Sequence, residues 1–290
     1  MLSHRPTTNA RLDTARRCLY GLVALAALAT LPETSSASPI RTDAGFTANT
    51  LAPNDDGSTG SVGIGFNANF LGTTYSNLYV NNNGNVTFTG PLGTFTPFSL
   101  VTTATPIIAP FFADVDTRAI PTNGSKAVTY GTSTVNGHAA FGVNWVDVGY
   151  YSSQTNKLNQ FQLVMIDRSD TGAGNFDFEF NYGNILWETG GASGGTNGLG
   201  GSSARAGFSN GSTFNFELTG SAVNGAFING GPNQLTTGTN VGNPGQFLFS
   251  ARNGGVSVTA VPEPATLAVF GGIALTGALG YRRRKATAAV

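Results

Sequence analysis

Phe176-Asp177-Phe178-Glu179-Phe180-Asn181-Tyr182 decides the fold. Aromatic rings alternate with polar side chains at every step. That is the period of a β-strand, whose successive side chains point to opposite faces. A helix would spread the same rings around its whole circumference. The stretch predicts an amphipathic strand, with its rings toward a core and Asp177, Glu179 and Asn181 on a wet face.

The pattern recurs outward in both directions. Upstream, Val62, Ile64 and Phe66 alternate with Gly63, Gly65 and Asn67. Leu78-Tyr79-Val80 and Val86-Thr87-Phe88 flank Asn81-Asn82-Asn83-Gly84-Asn85, whose Asn-Gly step supplies the positive φ of a hairpin turn. Ile107 to Phe112 is a buried-looking run, and Ala127–Tyr130 leads to Phe141–Val148 across Asn136-Gly137. Phe161–Ile166 is almost continuously apolar and reads as a central strand. Downstream come Ile185–Trp187, Ala204–Phe208, Phe214–Leu218, Phe247–Phe249 and Val256–Val258. No window in 38–261 carries a helical period. Roughly ten or more short strands, separated by Gly, Asn and Pro turns, predict an all-β chain folded as a β-sandwich.

The zero net charge of the 290 residues hides three zones. Residues 1–37 hold four Arg against two acids, and 262–290 hold four Arg or Lys against Glu263 alone. The body between them has seven basic and twelve acidic residues. An acidic body without clustered Lys or Arg argues against nucleic acid as a partner. The single cysteine, Cys18, precedes this body, so no disulfide or thiol chemistry is expected in it.

The ends read as addresses. Arg5, Arg11, Arg16 and Arg17 precede the apolar run Cys18–Leu31, and Ser35-Ser36-Ala37 offers small residues beyond it. This predicts a signal peptide over 1–37, cut by signal peptidase between Ala37 and Ser38, with 38–60 opening the mature chain. At the other end, Pro262-Glu263-Pro264 precedes the apolar segment 265–281 and then Arg282-Arg283-Arg284-Lys285. As a helix, 265–281 would reach about 25 Å, enough to cross a bilayer, with its cations on the cytoplasmic side. This three-part tail, 259–290, resembles the PEP-CTERM sorting signal of bacterial surface proteins. The resemblance implies recognition by an exosortase at Pro262, Glu263, Pro264 and Arg282, Arg283, Arg284, with a transient hold on the inner membrane.

Within the body, Ile107–Arg118, Phe141–Tyr151, Asn159–Arg168, Asn175–Tyr182, Ile185–Gly190 and Ala204–Gly211 resemble, in order and spacing, the nidogen-like (NIDO) domain family. The resemblance places a β domain at 61–258 with its family core about 107–235. In animals such domains belong to basement-membrane and cell-surface proteins linked with cell–matrix adhesion. A bacterial, exported form with no enzymatic activity is what the two resemblances together imply. Its partners would be matrix components or extracellular polysaccharide.

Candidate chemistry is sparse. Asp114 and Asp116, two apart after an apolar run, are the calcium candidates, with Asp55, Asp56, Asp147, Asp167 and Asp170 as companions. No Asp-x-Asp-x-Asp-Gly loop supports them, and turn-capping explains the pair equally. No cofactor is otherwise expected. Asp177 and Glu179, on one strand face, have the spacing of an acid–base pair, although the wet face of a strand accounts for both. His138 follows a turn and should be exposed; no Gly-x-Ser-x-Gly elbow or zinc motif accompanies it. Gly190–Gly201 reads as a flexible or Ω-like surface loop. Two alternatives to the adhesion reading follow: a lectin-like module stacking sugars on exposed Tyr150 and Tyr151, and a secreted glycan hydrolase using Asp177 and Glu179.

Overall fold

The computed structural model describes residues 38–119 and 124–258. The expected signal peptide with Ala37, and the tail with Pro262, Glu263, Pro264, Arg282, Arg283 and Arg284, lie outside the described residues. Among the described residues no helix is long and apolar enough to cross a membrane.

Among the described residues the fold has fourteen strands. They are β1 (Asn49–Thr50), β2 (Val62–Phe70), β3 (Thr73–Asn81), β4 (Asn85–Thr87), β5 (Pro106–Phe112), β6 (Val115–Asp116) and β7 (Thr129–Val135). There follow β8 (His138–Tyr150), β9 (Gln154–Asp167), β10 (Phe176–Asn184), β11 (Arg205–Asn210), β12 (Asn215–Glu217), β13 (Gln246–Arg252) and β14 (Gly255–Ser257). An eight-stranded sheet runs β1-β7-β8-β9-β10-β13-β14, with β6 beside β8; a six-stranded sheet runs β12-β11-β5-β4-β3-β2. Every pairing is antiparallel. The all-β expectation holds.

Both sheets contribute to one aromatic core. The rings of β10 point into it as the alternation predicts, and Phe176, Phe178, Phe180 and Tyr182 are all buried. Phe178 stacks on Phe249 of β13 at 4.9 Å and meets Phe208 of the other sheet edge-on at 5.4 Å. Trp145 of β8 lies almost parallel to Phe161 of β9, 5.3 Å away. Each fully buried ring contributes on the order of 2 kcal/mol by burial alone. Smaller clusters back both sheets: Phe46, Val164 and Ile166 behind one, Leu100, Ile107 and Phe112 behind the other.

The opposite face of β10 is not wet. Asp177, Glu179 and Asn181 are buried. β10 is an inner strand, and chain from elsewhere covers its back. Asn144, Gln162, Asn181 and Gln246 form a rung of amides across β8, β9, β10 and β13, linked by hydrogen bonds of 2.6, 3.0 and 3.2 Å. The segment before Phe46 lies on this rung: the Arg41 N–H donates to Gln162 Oε1, and Gln162 Nε2 donates to the Arg41 carbonyl.

Ile185–Trp187 is not a strand either. The side chain of Asn159 stands in for a partner: its oxygen accepts the N–H groups of Leu186 and Trp187, and its amide donates to the Trp187 carbonyl. The hairpin at Gly84 forms as expected, with Asn81 paired to Asn85. Gly84 has φ +73°, and a β-carbon there would stand 1.8 Å from the Phe111 carbonyl oxygen. Only glycine fits, because this turn is packed inside the molecule rather than held in solvent.

Candidate functional site

The buried hairpin positions the acidic residues. Asn82 donates through its side chain to the carbonyls of Asp55 and Val115, and its own carbonyl accepts the Trp145 indole N–H at 3.0 Å. Asn83 donates to Asp56 Oδ1 at 2.8 Å and accepts the Val115 N–H at 2.9 Å. Asn54 closes the 54–57 loop by accepting the Gly57 N–H. These bonds draw the loop after β1 against the end of β5.

The result is a cluster of three carboxylates. Asp55, Asp56 and Asp114 each turn an oxygen inward, all within 4.8 Å of one another. Asp114 is 1% exposed. Its Oδ2, and Oδ1 of Asp55, are buried without a hydrogen-bond partner. Burial, aided by Asp55, Asp56 and Asp116, pushes the Asp114 carboxyl up to about 7. Burial and the same crowding push Asp55 to about 6, against the pull of Arg118.

Asp116, the other calcium candidate, turns elsewhere. Arg118 grips it with Nε and Nη2 at 3.0 and 2.6 Å, and the Ser153 N–H donates at 2.7 Å. Burial alone would raise its pKa, but these donors outweigh that and hold it below the usual carboxylate range. Of the companions, Asp147 pairs with Lys126, Asp170 with Arg168, and Asp167 accepts from Ser169. Only Asp55 and Asp56 meet Asp114.

A surface cleft of about 470 Å³ adjoins the cluster, lined by Tyr151, Gln154, Gly191, Thr196 and Asn197. Tyr151 is half-buried, with the Arg118 guanidinium 5.8 Å from its ring centre. Tyr150 is not an exposed platform: it packs on Trp187 and donates from its hydroxyl to Asn156. As the last residue of β8, paired with Val115 of β6, it faces the core. The Gly190–Gly201 loop is compact and tied down. Thr196 and Leu199 bridge each other, Ser202 donates to the Ser193 carbonyl, and Lys157 Nζ donates to the Asn197 carbonyl at 2.6 Å. Backbone bonds join cluster and cleft, for the Tyr151 N–H donates to the Asp114 carbonyl and the Gly191 N–H to the Tyr151 carbonyl. A larger recess of about 540 Å³, between Phe216, Leu218, Leu235 and Phe247, has no charged side chain in its lining.

Asp177 and Glu179 are held by arginines. Arg168 and Arg252 take one oxygen each of Asp177, at 2.9 and 2.6 Å, and Arg41 takes both oxygens of Glu179. Every oxygen of the two carboxylates thus carries a charge-assisted hydrogen bond from an arginine, which accounts for both as ion-pair partners. His138 is partly buried, 3.9 Å from Asp170. Ser38 is exposed and caps the Ile40 N–H.

Glu188 had no sequence signal beyond its place in the family pattern. It is fully buried and accepts the N–H groups of Gly225 and Phe227, pinning the long connection between β12 and β13. Burial raises its pKa, only partly offset by these donors.

Comparison of the sequence with known proteins identifies the family. The nidogen-like domain matches residues 76–253. Alpha-tectorin of Mus musculus is 35% identical over 216 residues, 67% of this chain and 10% of its own length. Alpha-tectorin of Gallus gallus is 31% identical over 221 residues. Nidogen of Drosophila melanogaster is 29% identical over 220 residues, 69% of this chain and 15% of its own length. The shared region is thus a small part of each relative. No solved structure matches. The match runs from β3 to β13 and takes in both sheets, the buried hairpin and the carboxylate cluster's Asp114; the chain belongs to the nidogen-like domain family.

Proposed function

We propose that the chain is an exported, non-enzymatic protein of the extracellular matrix, and that its nidogen-like domain holds matrix polysaccharide through the Tyr151 cleft. Membership of the nidogen-like family carries the reading. The cleft supports it chemically: Tyr151 offers a ring, while Gln154, Thr196 and Asn197 offer amides and a hydroxyl. That mixture suits a neutral sugar, which stacks on an aromatic face and hydrogen-bonds at its edge. The engagement of Asp177 and Glu179 by arginines speaks against hydrolysis. Export by a signal peptide cut between Ala37 and Ser38, and sorting by an exosortase acting on the Pro-Glu-Pro tail at the inner membrane, belong to the same proposal. They would display many copies, so that individually weak contacts add in avidity.

The experiment is a pull-down of the protein on washed extracellular matrix, with chromatography of the polysaccharide before and after. Retention with an unchanged polysaccharide profile, reduced in a Tyr151→Ala variant, is expected. Shortened polysaccharide would make the protein a hydrolase; no retention on any fraction would remove the binding reading.

A further inference from the structure

We propose that Asp55, Asp56 and Asp114 form a binding site for one calcium ion, which locks the Gly190 loop against the end of β5. The inference is independent of matrix binding.

Three observations carry it. The first is distance: the inward oxygens of the three carboxylates lie within 4.8 Å of one another. Two oxygens on one calcium stand at most about 4.8 Å apart, twice the usual calcium–oxygen length, so the three lie within the spread that the ligands of one ion cover. The second is the state of two of these carboxylates. Asp114 is 1% exposed, and its Oδ2 has no donor, as is true of Asp55 Oδ1. A buried carboxylate oxygen without a partner is costly, and proteins satisfy such groups or bind a cation there. The third is charge. With Asp116, four carboxylates crowd this corner, and among the described residues their ion pairs all come from Arg118. One guanidinium, already spanning Asp116 and Asp55, leaves Asp56 and Asp114 uncompensated.

The donor set selects the ion. All candidate ligands are oxygens; His138 lies beside Asp170, in another part of the molecule. Oxygen-only sites favour hard cations over zinc or copper. Asp55 and Asp56 are partly exposed while Asp114 forms the floor, which leaves an entry path from solvent. An irregular set of loop carboxylates suits calcium, which accepts six to eight oxygens flexibly. Magnesium demands a near-ideal octahedron.

The wall of the site explains one glycine. A β-carbon at Gly190 would stand 2.3 Å from Asp114 Oδ2, so the loop can close over this carboxylate only with hydrogen at that position. Fixing Asp114 therefore fixes Gly190, and through the Gly191–Tyr151 backbone bond it fixes one wall of the cleft.

The test uses the full chain, stripped of metals by a chelator, in thermal unfolding with calcium, magnesium or sodium chloride at matched ionic strength. Calcium at about 100 times its Kd should raise Tm by about 5–10 °C, since it binds only the folded state. Asp56→Asn and Asp114→Asn should each weaken calcium at least about tenfold in calorimetric titration. In chelator, Asp114→Asn should unfold no lower than the unsubstituted protein, because it removes a repelled charge, so its lost response cannot be blamed on misfolding. A proton shared by Asp55 and Asp114 would solve the same charge problem; it predicts no calcium response at about 10 mM, which overturns the proposal. An undiminished response in both variants, or an equal rise with magnesium, overturns it as well.

Discussion

Arg41 holds both carboxylate oxygens of Glu179, from Nε and Nη2, each at 2.8 Å. The two residues lie 138 positions apart, and Glu179 is buried under the contact. Removing the arginine leaves a buried charge with only the Asn181 amide as a donor. Arg41→Leu is predicted to cost about 2 kcal/mol, less than a fully enclosed pair because Arg41 is itself partly exposed. Chemical denaturation measures it. A Glu179→Leu change added to the first should recover part of the loss; if the double variant is worse by the sum of both, the pair is not coupled as described.

The Gly84 turn gives a sharper prediction. Alanine there meets both a positive φ and the Phe111 carbonyl. Gly84→Ala is expected to destabilise by at least about 3 kcal/mol. Gly137, in a turn of similar φ (+83°) with nothing within 4 Å of a β-carbon, is the control and should lose only about 1 kcal/mol. Equal losses in the two would show that the hairpin is not packed inside.

Glu188 should act as a clasp. Glu188→Ala leaves the Gly225 and Phe227 N–H groups without their acceptor. About 2–3 kcal/mol should be lost, and amide exchange should speed up at these two residues before it does in β10. Unchanged exchange there would refute the assignment.

Asp147 supplies a pH test. Burial would raise its pKa, but hydrogen bonds from Gln160 and Lys126 hold it below the ordinary value. A carboxylate depressed in the folded state stabilises above its unfolded pKa, and that stability disappears as pH falls through the folded value. Asp147→Asn, whose amide side chain also tolerates the positive φ of 59°, should therefore be less stable than the unsubstituted protein at pH 7. The difference, under about 1 kcal/mol because Lys126 is largely exposed, should close as the pH falls below the depressed folded-state value, where both forms of the side chain are neutral. A gap that persists there would assign the loss to packing.

How much of this was legible follows from where the partners sit. The ring alternation in Phe176–Tyr182 names its strand and its core face because both are local properties of the chain. Its second face reads as wet from the sequence because the covering groups, Arg41, Arg168 and Arg252, come from other elements, Arg252 from 75 residues downstream of Asp177. Asp114 stood out after its apolar run, and Asp55 and Asp56 were among its companions. Which companions join it depends on Asn82 and Asn83, whose hairpin packs inside the molecule and bonds to segments distant in the chain. Tyr150 and Tyr151 are adjacent and chemically alike. Tyr150 is the last residue of β8 and turns into the core, whereas Tyr151 lies in the turn beyond it and stays half-buried, a boundary the sequence does not mark.

The insertion of β13 beside β10 has a consequence for biosynthesis. Phe178 meets Phe249 across that seam, so β10, with four aromatic rings in nine residues, gains its second neighbour only when residues 246–252 have been made. Until residue 252 has left the ribosome, β10 presents an open hydrogen-bonding edge studded with phenylalanine, the kind of edge that recruits other chains. Ring closure over so long a sequence separation is also slow. Nascent or clipped molecules ending before Gln246 are thus the aggregation-prone species, and a cell making this protein in quantity has reason to shield that edge until translation ends.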